Sequence, residues 1–438
     1  MAAALGRRAV LGGLALGALA KPGLALPTVA RAARPKVAIV GAGFGGGALA
    51  AEVAAWADAP LDIVLIEPEP GYFALCRSNL VLGGMKTRPS IWFSYEALAR
   101  RAGLRLVRGR AERVDPARRT IRLEDGTALP FDAAVLAPGI GLDYASVPGW
   151  SLAASERMPH GWIGRAQFDL LNRQLAAVPD GGTIVILPPP DPSRCPPAPY
   201  ERASMMAHRL RTTGRGGCRI IILDCKERFA KMALFLDGWE RYYPGMIEWL
   251  PPSIHEGIEE VDPATLTVRT GFGVYRDCAL VNVIPAQTAG AVALESGLTD
   301  RTGFCPVRPD DMSSTLARAI YVLGDAAQAS PIPKAASAAV SQSVAVAAAL
   351  RAQLLGAAPA AASYSSQCWS LLSPGDSVTT TGDYAAVNGT MKEVKGSVSA
   401  LSEPAALRQR NARESDVWFQ DAMTRIVGAP EGPQGSTP

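Results

Sequence analysis

Apolar residues in this chain fall into short unbroken runs, and each run stops at a glycine, a proline or an acid. "KVAIV" stops at Gly41, "DIVLIE" on Glu67, "FDAAVL" before Ala137-Pro138-Gly139, and "AIYVL" before Gly324-Asp325. "TIVIL" and "CRIIIL" repeat the form midway along the chain. Runs of this length without polar alternation predict strands buried on both faces of a parallel sheet. Between them lie Ala- and Leu-rich stretches of helical length, such as Tyr200 to Arg211 and the long segment after "PIPK". The alternation predicts an α/β fold. Near Gly356 the pattern changes to Pro/Ser-rich chain, followed by strand-like "SVTTTGDYAAV" and helix-like "DVWFQDAMTRIV". In that helix Trp418, Ala422 and Ile426 form one apolar stripe at four-residue spacing, expected to pack against the chain's own core.

Composition narrows the picture. At 438 residues, 48% hydrophobic and 19% charged, the chain is that of a globular protein of two or three domains. The formal charge of +4 comes entirely from Arg7, Arg8, Lys21 and Arg31, because the first 33 residues hold no acid. The remaining chain is neutral, which argues against nucleic acid as a partner, since that needs clustered cations. "GRRAVLGGLALGALA" sets paired arginines before an apolar run too short to span a bilayer, and residues 1–33 read as an export signal. The Arg7-Arg8 pair points to the twin-arginine route and a periplasmic location; an ordinary signal or a short anchor is the alternative. No integral membrane segment is expected elsewhere. Pro430 to Pro438 reads as a disordered tail. Seven cysteines in an exported chain permit a disulfide and leave at least one thiol unpaired. The sequence holds no Cys-x-x-Cys-His, so no haem is expected in this chain, and its three histidines lack metal-ligand spacing.

The first candidate site is a dinucleotide fingerprint. Gly41 permits a tight turn, Gly43 lets the backbone approach a pyrophosphate, and Gly46 lets helix and strand pack closely. The helix that follows offers free N–H groups to the anion, and Glu67, at the end of the next strand, can bind a ribose. Pro138 and Gly139 close one later strand; Gly324 and Asp325 close another. Both resemble the strand-end signatures of two-dinucleotide-domain flavoproteins, where the aspartate contacts the ribityl chain, so FAD is favoured over NAD. The helix after "PIPK" would point its positive end at the flavin. Ala111 stands where such proteins offer the adenine a backbone contact; a plain strand end is the alternative.

A second α/β unit runs from 146 to 288, but it lacks a phosphate loop. After "TIVIL" the chain holds Pro188, Pro189, Pro190, Pro192, Pro196, Pro197 and Pro199 around Cys195. Proline has no N–H, and a phosphate cradle is built of N–H groups, so NAD(P) binding is not expected. Electrons must enter from a substrate at the flavin or at a cysteine.

"RCPPAPYERAS" (194–204), "GWERYY" (238–243), "MIEW" (246–249), "VIPAQTAG" (283–290), "GFCPV" (303–307) and "GDAAQASPIPK" (324–334) together resemble the flavoprotein subunit of flavocytochrome c sulfide dehydrogenase. The resemblance covers nearly all of the chain after residue 33. It implies two Rossmann-like dinucleotide-binding-type domains, glutathione-reductase-like, plus a small C-terminal α+β region. The FAD domain would comprise 34–145 and 289–355, the second Rossmann-like domain 146–288, and the flavin floor and interface region 356–438. It implies sulfide, or another small sulfur nucleophile, as substrate and a c-type cytochrome as electron acceptor. It also implies a redox-active disulfide between Cys195 and Cys305, with Glu201 as an acidic group beside it, and it places Lys334 at the cofactor. A structural bridge, or two separate thiols, is the alternative for the cysteines; a surface ion pair with Arg202 or another base is the alternative for Glu201.

Two stretches depart from the family. In "YFALCRSNLVLGG", Ser78 and Asn79 match, but the cysteine that carries covalent flavin falls at Leu75, and the cysteine present is Cys76. In an extended segment one residue's shift turns a side chain to the opposite face; covalent and noncovalent FAD both stay open. "AASAAVSQ" lacks the family's aromatic and polar positions. Cys218, Cys225 and Cys278 read as core thiols on or beside strands, and Cys368 shows no partner. Two rival readings remain: a sulfide:quinone oxidoreductase-like enzyme, and a redox-inactive flavin-bearing partner of a sulfur-oxidation complex.

Overall fold

Lys36–Val40 is the middle strand of a five-stranded parallel sheet. The order across that sheet is Ile320–Val322, Ala133–Leu136, Lys36–Val40, Asp62–Glu67 and Arg105–Arg108. The apolar runs land here because both faces are covered: Val37 to Val40 and Ala133 to Leu136 are buried throughout. The computed structural model describes residues 34–428, except Ala57, Ala59 and Pro60. The export signal and the Pro430–Pro438 tail therefore lie outside the described residues.

Helix Phe44–Ala54 covers the first sheet and packs against helix Ala336–Leu355. Small residues let the two approach closely: a Cβ on Gly45 would come within 2.1 Å of Leu323 and 3.5 Å of Ala339. Helix Ala336–Leu355 is, among the described residues, the one helix long and apolar enough to cross a membrane. It is flanked by helix Phe44–Ala54 and the first strand of the C-terminal sheet.

The chain leaves the first sheet through Ile140–Leu142 and returns through Gln287–Ala289, which pair antiparallel. Between them lies a four-stranded parallel sheet, ordered Ile247–Leu250, Arg219–Leu223, Thr183–Leu187 and Leu280–Val283. Helix Ala198–Thr212 joins its two middle strands. The C-terminal region is an antiparallel sheet of Ser363–Ser373, Asp376–Val387 and Thr390–Val398, then helix Ala405–Val427. The expected stripe on that helix packs inward. Trp418 stacks on Phe44 with ring centroids 5.7 Å apart, and Ala422 and Ile426 are buried.

Candidate functional site

The first sheet brings the fingerprint residues to the carboxyl ends of its strands. Gly41 has φ +88, and a Cβ there would sit 2.3 Å from the Ala137 carbonyl oxygen. A Cβ on Gly46 would sit 1.9 Å from the Gly41 oxygen, which explains glycine at both positions. Gly43 would meet only the Tyr72 ring, at 3.5 Å, so its backbone face is open to a ligand. No side chain caps helix Phe44–Ala54, so its first N–H groups stay free for a phosphate. Glu67 accepts from the Ala42 N–H at 2.9 Å, and burial pushes its carboxyl up. Gly139 and Gly324 both have positive φ. The Gly324 N–H donates to Gln342 at 2.7 Å, so helix Ala336–Leu355 pins this turn through a polar residue of its own. Ala111 opens the antiparallel strand Ala111–Asp115, close in sequence to Gly109, whose N–H reaches the Glu67 carbonyl. The open glycine loop, free helix end and acid suit a dinucleotide.

Asp325 pairs with Arg194 at 2.8 Å, a positive group set directly beside Cys195 in sequence. Lys334 donates to the carbonyls of Asp325 and Ala327, at 2.7 and 2.8 Å, and lies 3.7 Å over the Phe304 ring. Burial pulls its ammonium down to about 8.

The Cys76 segment is not extended. Leu75–Arg77 is a single 3₁₀ turn leading into helix Ser78–Leu82. Successive side chains in such a turn lie about 120° apart, so the one-residue shift redirects the cysteine without sending it to the opposite face. Leu75 packs against the core, whereas Cys76 is exposed and within electrostatic reach of Arg77, Arg194 and Glu201. The surrounding protein pushes its thiol up to about 12.

Cys195 has φ +51, a left-handed conformation that is strained for a cysteine. Its N–H donates to the Lys334 carbonyl at 2.8 Å, which fixes that turn. Glu201 follows in the first turn of helix Ala198–Thr212 and is 8% exposed. It accepts from the Asn79 amide at 2.8 Å and the Leu371 N–H at 2.9 Å, and burial pushes its carboxyl up. The surface-pair alternative fails: Arg202 is fully enclosed and donates to the carbonyls of His160 and Gly161 and to Asn282.

Cys195 and Cys305 are both free thiols in the structure. The thiol with the largest effect on Cys195 is that of Cys368. The strand carrying Cys368, Ser363–Ser373, packs on both Ala198–Thr212 and Ala336–Leu355, which delivers it to the Cys195 turn. Cys305 is buried in the short strand Cys305–Pro306, paired with Ala327–Gln328. The charged groups that act on it are Lys334 and Asp300. Lys334 thus meets Cys195 with its carbonyl, while its ammonium lies on the Cys305 side, beside Phe304. Sequence reading missed Cys368 because nothing local marks it; a contact between sheets supplies the partner. Within the pair, the interaction of the two sulfurs pulls the Cys368 thiol below its ordinary range and pushes the Cys195 thiol above it.

The strand ends of the second sheet carry a network of side chains around Asp224. Asp224, at the end of strand Arg219–Leu223, accepts from Tyr200, Trp249 and Lys226 at 2.5, 2.9 and 2.8 Å. Lys226 also donates to the Pro189 carbonyl, and the Tyr200 ring stacks on Phe229 at 3.6 Å.

A nucleotide-ready first sheet, a donor-poor second sheet and a cysteine pair at their junction define a flavoprotein of the pyridine nucleotide-disulphide oxidoreductase class. Residues 35–162 match the pyridine nucleotide-disulphide oxidoreductase family. Residues 168–285 match the central part of the sulfide dehydrogenase (flavocytochrome c) flavoprotein chain. Residues 360–424 match the flavin-binding part of flavocytochrome c sulphide dehydrogenase. The chain belongs to the family of flavocytochrome c sulfide dehydrogenase flavoprotein chains. Its fold is similar to the sulfide:quinone oxidoreductase of the hyperthermophilic bacterium Aquifex aeolicus, at 15% identity and TM-score 0.70, over 90% of this chain and 93% of that one. It is also similar to the covalent putidaredoxin reductase–putidaredoxin complex, at 16% identity and TM-score 0.62, over 91% and 100%. The NAD-dependent persulfide reductase from A. fulgidus matches at 12% and 0.59, over 86% and 76%. Likeness at these identities is likeness of fold.

Proposed function

We propose that this chain oxidises hydrosulfide at the Cys195–Cys368 pair and passes the electrons through FAD to a c-type cytochrome in the periplasm. The observation that carries the reading is two cysteines within electrostatic reach of each other, Cys195 and Cys368, with a buried carboxyl, Glu201, bonded to the strand that carries the second. In the oxidised form the pair would be a disulfide. Hydrosulfide attacks one sulfur, the S–S bond breaks, and the products are a persulfide and a thiolate. A second sulfur nucleophile takes the sulfane sulfur and leaves two reduced cysteines.

FAD, when bound, supplies a two-electron acceptor that can be reoxidised one electron at a time. Gly41, Gly43 and Gly46 would hold its pyrophosphate, Glu67 the adenosine ribose and Asp325 the ribityl chain. Arg194 sits at Asp325 and offers a positive charge to the reduced form. Cys76 is the residue available for a covalent link. Glu201 gives or takes a proton at the reacting sulfurs, in keeping with its raised carboxyl. The side-chain network at Asp224 favours an electron donor other than a nicotinamide. Retention of a cysteine pair within electrostatic reach weighs against a redox-inactive partner.

The test is anaerobic reduction of the holoprotein with sulfide, followed by mixing with an oxidised c-type cytochrome. The reading expects cytochrome reduction that depends on sulfide. Flavin reduced by sulfide that passes electrons to a quinone analogue but not to cytochrome would reject the acceptor.

A further inference from the structure

Lys231 occupies a position that local physics disfavours for lysine. It immediately precedes helix Met232–Tyr242 with φ 64 and ψ 24, in the left-handed region disfavoured for a residue with a side chain. Its charge also stands at a helix N-terminus, where the dipole repels cations. The ammonium reaches across to the C-terminal sheet, donating to the Cys368 carbonyl at 3.0 Å, the Ser370 hydroxyl at 2.9 Å and the Val378 carbonyl at 3.4 Å.

Ser370 is the connection to sulfur. Cys368 and Ser370 are two apart on one strand, so their side chains share a face. Ser370 is 1% exposed; its oxygen accepts from Lys231, which leaves its own hydroxyl proton for an acceptor on the face it shares with Cys368. The groups facing Cys368 are thus Cys195, Ser370, Lys231 and the Glu201 carboxyl. The groups acting most strongly on Cys195 are Cys368, Glu201 and Cys76, and the Arg202 guanidinium is also within reach of it.

We propose that Lys231, acting through Ser370, is a positioning residue that places negative charge on the Cys368 sulfur instead of Cys195 whenever the pair is reduced. The proposal rests on reading Cys195 and Cys368 as the sulfide-oxidising couple. Hydrosulfide brings one negative charge to the disulfide, and breaking the S–S bond leaves that charge on a thiolate or on the new persulfide. The relay settles it at Cys368 in either case: as the thiolate if Cys195 takes the sulfur, as the persulfide anion if Cys368 does.

The test is the pH dependence of Cys368 alkylation by iodoacetamide in the dithiol-reduced holoprotein, followed on the Cys368 peptide by mass spectrometry. Wild type is expected to titrate below the ordinary thiol range. Lys231→Met and Ser370→Ala should each move the midpoint up by about one unit, a roughly tenfold loss of thiolate below the midpoint. Lys231→Arg, which keeps the charge, should stay close to wild type. Midpoints unchanged in both Lys231→Met and Ser370→Ala overturn the relay. Failure of the couple is read separately, as absence of a Cys195–Cys368 crosslink in the oxidised wild type.

Discussion

His160 shows how a single enclosed side chain ties this site to pH. Its Nδ1 accepts from the Trp162 N–H at 2.9 Å, while its own carbonyl accepts from Arg202 and Asn282. A proton on that nitrogen would face an N–H donor and a nearby guanidinium. Burial, and then Arg202, pull the imidazole down to about 3. The unfolded chain binds this proton near 6.5 and the folded chain resists it, so stability falls as pH drops through that window. The loss is about 1.4 kcal/mol per unit at most for one such group. Urea unfolding at about pH 7 and about pH 4.5 should show it, and His160→Asn, which keeps an acceptor oxygen, should show a shallower fall. An identical slope in the variant would remove His160 from the account.

At the scale of elements, short turns decide which residues face the flavin. The 3₁₀ turn Leu75–Arg77 turns Leu75 to the core and leaves Cys76 exposed. Acid precipitation of the holoprotein should therefore carry the flavin down with wild-type chain, and Cys76→Ser should release it to the supernatant. Flavin released from both proteins would make the cofactor noncovalent. The glycine fingerprint was legible in sequence because Gly41 and Gly46 answer local demands, a positive φ and a backbone contact. So were the parallel strands, whose burial on both faces writes an unbroken apolar run. The form of the Cys76 turn was not legible, because "ALCRSN" carries no strong signal for turn over strand.

At the scale of the molecule, the two cysteines are brought together by packing between regions far apart in sequence. Cys195 comes from the turn before Ala198–Thr212, and Cys368 from a strand of the C-terminal sheet. Glu201 joins the two directly through the Leu371 N–H. Arg77 adds a further tie, donating to Ser415 at 2.6 Å and lying 5.1 Å from the Phe419 ring. Cys195 and Glu201 were visible in the sequence through the motif around them. Cys368 was not, since a strand residue shows its own pattern and not the surface it meets. The measurement that tests the central claim most directly is flavin bleaching by anaerobic sulfide in holoproteins carrying Cys305→Ser or Cys368→Ser. The account predicts bleaching like wild type in the first and none in the second. Bleaching lost with Cys305→Ser and kept with Cys368→Ser would contradict it.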